Sequence, residues 1–393
     1  MARAVGSSGR VWAFEPASST ASFLEQSLAA NGFEHVAVER RAVSSASGTA
    51  RLSLHPNSEL NELVREDARA DATETVPVTT LDACLERCGW QDIAVLKIDA
   101  EGEEANILQG GRRFFESQSP LVLYEVKAGR ALHLELVAAF EALGYRSYRL
   151  VPGPGVLVPF SAGDAADPYL LNLFCCKPDR ARELAGEGLL VESAPSPDAP
   201  VPEAKHGWRA TLASQPFAGA FAATWRDVDT RPHGAALTVA LAWHAMSRDV
   251  TLGAPERVRA LAAALRQLRT LCVGPVPGVR LVSLARVARD FGARDLAVKC
   301  LSAVANALSQ QGRADASEPF LPPSARYERL ASDGRAANWL MGSVLAELER
   351  LSAYSSFYTG VAARGRLALI GKLGLADAEM ERRLALVQQR FGG

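Results

Sequence analysis

An α/β domain followed by an all-helical domain is the architecture that this 393-residue sequence predicts. Three observations carry the expectation. Residues up to about 180 alternate short apolar runs with helical periodicity, which argues for a mostly parallel sheet covered by helices. Residues 193–205, SAPSPDAPVPEAK, are rich in Pro, Ala and Ser and read as a linker. After Trp208 apolar residues recur at three-to-four spacing, the period of a helix. The expected boundaries are 1–180 for the α/β domain, 181–206 for the linker region and 207–393 for the helical domain.

In chain order, Val11–Phe14 is a short strand, and Ser18 to Ala30 a helix stopped by Asn31-Gly32. His35 to Val43 and Thr49 to Leu54 read as strands. Val76 to Val78 is extended, and Thr79 or Thr80 caps a helix through Arg87. Ile93 to Ile98 reads as a buried strand, Glu103 to Glu116 as a helix, and Leu121 to Tyr124 as another strand. A helix over Ala131 to Leu143 and strands at Tyr145–Leu150 and Tyr169–Cys175 complete the pattern. Helices are expected at 234–248, 255–271, 280–291, 293–310, 335–351 and 353–371. Residues 281–308 resemble one tetratricopeptide helix pair, with Ala285, Gly292 and Ala297 at the close approach. A generic helical bundle is the competing reading.

Composition sets the outer limits. At 48% hydrophobic and 22% charged, the chain has apolar material for two cores and is not a disordered protein. The net charge of -1 conceals an asymmetry: residues 207–393 hold 24 Lys+Arg against 15 Asp+Glu, while the first 206 are acidic. That contrast suits domain docking or an anionic partner, and equally suits two solvated surfaces. The positive charge lacks aromatic interleaving, so no nucleic-acid partner is expected. The six cysteines lack zinc-ligand spacing, and Cys84 and Cys88 read as small core residues. No apolar run reaches bilayer length and no signal peptide is legible, so the expectation is a cytoplasmic protein with no membrane partner and no metal.

Two segments carry chemistry. GRVWAFEP (9–16) is a strand ending in Glu15-Pro16, and ligands of open α/β sheets bind beyond the carboxyl ends of strands. A carboxylate there accepts hydrogen bonds from a ribose, or simply stabilises the next helix start. LKIDAEGEEANILQGG (96–111) puts Asp99, Glu101, Glu103 and Glu104 at a strand-to-helix turn. Crowding and desolvation raise at least one carboxyl toward the range of a general base. Lys97, two residues from Asp99 on the strand, faces the same side and offsets that charge. Glu103 is read as an outward helix-start residue, and His133 as structural or surface.

The order AFEP, VTTLD (78–82), LKIDAEGEEANILQGG and PLVLYE (120–125), with NLFCCKP (172–178) as a closing strand, resembles FkbM-type methyltransferases over residues 1–178. Ala100 and Glu103 depart from the family pattern. The resemblance implies a class I, Rossmann-like methyltransferase sheet using S-adenosylmethionine, usually to methylate a hydroxyl of a sugar or natural product. It implies that Glu15, flanked by Phe14 and Pro16, holds the cofactor ribose and that Asp99 sits beside the methyl group. Glu101, Glu104 and Glu125 would line the acceptor side, with Asp99 or Glu101 as the base. Lys97 completes the expected catalytic set.

The family also places a strand and a glycine-rich turn before the segment that opens here as MARAVGSSGR. The sheet is therefore expected to lack its first strand, Met1 to be internal to a longer protein, and this chain to bind the cofactor poorly or not at all. The leading expectation is an O-methyltransferase for a glycan, sugar or similar small acceptor. The alternative is a non-catalytic interaction protein with a vestigial methyltransferase domain, its helical half binding a protein partner. Tyr354, Phe357 and Tyr358 are read as core rather than sugar platform.

Overall fold

The computed structural model describes all residues except 56–57, 65–71, 129–130, 194–202, 204–206, 333–335, 353–361 and 392–393. Residues 194–202 and 204–206 of the expected linker, and Tyr354, Phe357 and Tyr358, lie outside the described residues. The chain divides into two compact units. The first takes Met1–Arg149, Pro159–Asp164 and Leu170–Leu184. The second takes Leu150–Val158, Ala165–Tyr169 and Ala185–Gly393. A mixed α/β N-terminal region is followed by a helical C-terminal region, as the sequence predicts.

The first unit opens with α1 (Ala2–Val5), β1 (Val11–Phe14), α2 (Ser18–Ala30), β2 (Val36–Glu39) and β3 (Ala42–Val43). It continues through β4 (Gly48–Ser53), β5 (Thr73–Thr79), α3 (Leu81–Cys88) and β6 (Val95–Ile98). Then come α4 (Glu104–Gln109), α5 (Arg112–Ser117), β7 (Leu121–Glu125), β8 (Lys127–Ala128), β9 (Ala131–Leu132) and α6 (Glu135–Glu141). The chain goes on to β10 (Arg146–Val151), β11 (Val156–Pro159), β12 (Asn172–Cys176) and α7 (Pro178–Gly186).

The sheet is less parallel than the alternation suggests. β6 and β7 pair in parallel, but β12 is antiparallel to both β7 and β10. β1 pairs in parallel with β2 in a separate two-stranded sheet, and β3, β5 and β4 form a third. Among the described residues β1 and β6 each pair with one other strand. β6 accordingly is not the buried strand expected: Val95 is half exposed, and only Ile98 of the strand is buried.

Local chemistry explains the other departures. The expected strand 35–43 breaks at Arg40-Arg41, because Ala42–Val43 leaves β2 to pair with β5. The expected helix 103–116 breaks at Gly110-Gly111, where a Cβ on Gly110 would stand 2.3 Å from the Ser44 carbonyl oxygen. Asp82 then caps α5 from outside, its carboxylate accepting from the Phe114 N–H at 2.8 Å. The helix expected from Ala131 starts instead at Glu135, since Ala131 and Leu132 pair with β8. Behind the main sheet, Phe115, Tyr124, Phe140 and Tyr145 pack mostly edge to face, and Tyr124 Oη lies 2.8 Å from Ser147 Oγ. Cys84 is buried completely, as its core reading expects, whereas Cys88 is only partly buried; all six cysteines are free.

The helical part of the second unit begins with α8 (Trp208–Leu212) and three short 3-10 turns between Pro216 and Thr230. Its helices follow as α9 (Gly234–Ser247), α10 (Ala254–Leu271), α11 (Gly278–Phe291), α12 (Arg294–Gln311) and α13 (Ala325–Glu328). α14 (Ala336–Ser352), α15 (Ala362–Lys372) and α16 (Ala378–Phe391) close the chain. α11 and α12 are the pair singled out in the sequence: Ala285 and Ala297 are buried, and Gly292 makes the turn at φ 91°. The 3-10 segment has too few residues for a period. α16 is not among the expected helices although Met380, Leu384 and Val387 recur at helical spacing, and Met380, Arg383 and Val387 are its buried residues. Phe217, Phe221, Trp225, Phe320 and Trp339 form an aromatic core, and the Trp225 Nε1–H donates to the Ala316 carbonyl at 3.1 Å.

Gly234 opens α9 against backbone: a Cβ there would lie 1.7 Å from the Val228 carbonyl oxygen. Gly234→Ala is expected to lower unfolding stability by about 1–3 kcal/mol. Gly365→Ala, inside α15 with nothing within 4 Å of its Cβ, is expected to raise it by up to about 1 kcal/mol. Urea unfolding of the two variants against the parent chain checks both signs.

Candidate active site

The parallel pairing of β6 and β7 aligns Ile98 with Tyr124, so the next residues, Asp99 and Glu125, leave the sheet side by side. β12 sets Asn172 opposite Glu125 on its other flank. Three strands thus place Asp99, Glu125 and Asn172 in a row at the carboxyl end of β7, where open α/β sheets bind ligands. Asn172 is the member the sequence reading missed, because its position depends on an antiparallel register that spacing does not reveal.

Lys97, two residues before Asp99 on the same face of β6, donates from Nζ to Asp99 Oδ2 at 2.6 Å. One oxygen from each of Asp99, Glu101 and Glu125 lies within 4.8 Å of the others. That spacing admits a shared proton, and carboxylate oxygens at this distance also admit a hard divalent cation. Burial pushes the Glu125 carboxyl up to about 8, aided by its hydrogen bond to Asp99 and the negative charges of Asp99, Glu101 and Glu104. Burial acts the same way on Asp99, but the hydrogen bond from Glu125 and the Lys97 ammonium outweigh it, and Asp99 stays below the ordinary carboxylate range. The pair therefore holds one proton at neutral pH, on the Glu125 side.

The loop between β6 and α4 is built to present Glu101. Glu101 has φ 47° and Gly102 φ 99°, both left-handed. A non-glycine residue there costs about 1–3 kcal/mol and needs outside support. Glu104 supplies it: Oε1 accepts from the Ala100 N–H at 3.0 Å and Oε2 from the Gly102 N–H at 3.1 Å. Glu104, expected to line the acceptor side, thus has its carboxylate bonded to the loop backbone. Glu103 stands at the start of α4 but does not point outward: it is half-buried, makes no side-chain cap bond to the helix backbone, and accepts from Ser44 Oγ at 2.6 Å and Asn106 Nδ2 at 3.0 Å. His133 is partly exposed, with Nδ1 2.7 Å from Glu135 Oε1, away from these carboxylates in its bonding.

Glu15 follows β1, and its N–H donates to the Glu39 carbonyl at 3.0 Å, one step beyond the ladder. Its Oε1 accepts from the Ala17 N–H at 2.9 Å, so the helix-start part is real. Oε2 has no hydrogen-bond partner among the described residues, which leaves one acceptor of a half-buried carboxylate for a ligand hydroxyl. Burial raises the Glu15 pKa; the Ala17 N–H opposes the rise and Glu74 adds to it. Phe14 stacks edge-on against Trp90 at 6.3 Å, which makes it a support for the strand end. Pro16 precedes the fully buried Ala17 and starts the turn into α2. No hydrogen bond or ion pair joins Glu15 to the Asp99 cluster among the described residues.

A mixed α/β region with a proton-sharing carboxyl pair at adjacent strand ends is an arrangement suited to proton abstraction from a bound ligand. Residues 1–147 match the family model of the methyltransferase FkbM domain. No curated protein and no solved structure matches the chain. No helix among the described residues is long and apolar enough to cross a membrane.

Proposed function

We propose that the first unit is an S-adenosylmethionine-dependent O-methyltransferase acting on a hydroxyl of a sugar, glycan or natural product. The Asp99–Glu125 pair carries the reading. S-adenosylmethionine, when bound, supplies an electrophilic methyl group. Glu15 Oε2 would accept from its ribose, the acceptor left open by the Ala17 bond. A hydroxyl attacking a methyl group must lose its proton, and a base within hydrogen-bond reach is worth about 10²–10⁴-fold in rate. Asp99 is the proton acceptor. Its Lys97 contact keeps it ionised, and Glu125 sets the pH at which the pair becomes doubly anionic and strongly basic. Asn172, in line with Glu125, orients the acceptor with its amide.

The pH dependence follows with a definite sign. Glu125 titrates at about 8, so the fraction of fully ionised pair grows as pH rises toward that value. Turnover is expected to rise from pH 6 through about 8 and then level. Glu125→Gln removes the titrating group, and its profile should lose the rise. A parent profile that rises instead near pH 4.5, or a Glu125→Gln profile with the same limb near 8, rules the pair out as the base.

A further inference from the structure

The second unit contains a cleft of about 640 Å³ between α8 and α9, walled by Trp208, Leu212, Leu241 and Leu321. His244 lines it from α9, although its side chain is only 3% exposed. Its Nε2 lies 3.0 Å from Asp290 Oδ2, which also accepts from Arg286 Nε at 2.7 Å. Asp290 Oδ1 accepts from Arg289 Nη1 at 3.0 Å. Two guanidinium groups keep that carboxylate an acceptor, so His244 Nε2 must carry the hydrogen. Burial keeps the imidazole neutral, with Asp290 opposing and Arg286 and Arg248 adding to the effect. Nδ1 is therefore a lone-pair acceptor. It has no hydrogen-bond partner among the described residues, and its residue is part of the cleft lining.

We infer that this cleft binds a small molecule with an apolar body and a hydroxyl group, the hydroxyl donating to His244 Nδ1. An anion is disfavoured because Nδ1 offers it no proton and Arg248 at the rim is bound to Glu328 by both nitrogens, at 2.7 and 3.1 Å. A bare hydrocarbon would fill the apolar walls but leave a desolvated acceptor unpaired. A ligand hydroxyl pairs Nδ1 while the apolar body meets the walls, and the buried Oε1 of Gln215 in the same lining is a second acceptor for a further donor.

The test uses the full chain with 2-naphthol, and 2-methoxynaphthalene as the same shape without a donor. Calorimetry should show 2-naphthol binding at least tenfold more tightly. The ¹⁵N resonance of His244 Nδ1 should move on addition of 2-naphthol and not of the methyl ether. Ala245→Phe, which fills the cleft without removing a buried polar group, should abolish binding while the circular dichroism spectrum is retained. Equal affinity for the two probes, no binding of either at millimolar concentration, or unchanged binding in Ala245→Phe would each overturn the assignment.

Discussion

Asp99→Asn is expected to reduce methyl transfer by about 10²–10⁴-fold, the usual worth of a positioned base. The amide cannot take the proton and loses its ionic contact with Lys97. The substitution also withdraws one of the negative charges that raise Glu125. The rise of the small residual rate should therefore move to lower pH without disappearing, because burial, Glu101 and Glu104 still hold the Glu125 carboxyl up. Asp99 is partly exposed, so the fold should survive, and the unfolding midpoint should remain close to that of the parent. An Asp99→Asn chain with parental turnover would remove Asp99 from the chemistry.

The largest stability effect is expected at Arg286, on the opposite unit. Its side chain is 2% exposed and meets Asp290 at 2.7 Å, Glu328 at 2.9 Å and the Pro322 carbonyl at 3.3 Å. Arg286→Met leaves two buried carboxylates short of a cation, and breaking such a network from one side costs about 3–5 kcal/mol. Asp290 and Glu328 both stay below the ordinary carboxylate range; burial opposes this, and the charge of Arg286 leads the groups that outweigh it. Without Arg286 their pKa values rise, so the folded variant takes up protons more readily than the parent. The stability gap between the two should therefore narrow as pH falls from 7 to 5. Denaturant unfolding at both pH values reads the loss and its sign; a loss below about 1 kcal/mol would show the network to be self-sufficient without Arg286.

The sequence makes the α/β-then-helical order legible because apolar periodicity changes from strand to helix after Trp208. It also makes Asp99 legible at a strand end with Lys97 on the strand before it, while Glu125 enters only through the family resemblance. What it hides is register. Nothing in the spacing says that Asp99 and Glu125 end adjacent parallel strands, that Asn172 joins them from an antiparallel one, or that Glu104 turns back to hold its own loop. Those depend on pairing between residues far apart in the chain. The Gly110-Gly111 break is similar: it answers to a carbonyl at Ser44, which local helix propensity does not sense. In the helical unit, the hydrophobic pattern located most helices, but the Arg286–Asp290–His244 network sits among them as buried charge that periodicity reads as solvated surface.

The central claim is methyl transfer to a hydroxyl, and its most direct test is product mass. The full chain would be incubated at pH 8 with millimolar deuteromethyl S-adenosylmethionine and a panel of sugars and hydroxylated natural products. The account predicts a deuteromethyl ether of at least one acceptor, lost with Asp99→Asn. Cofactor binding by calorimetry with no methylated product across the panel would contradict it and favour an interaction protein with a vestigial domain.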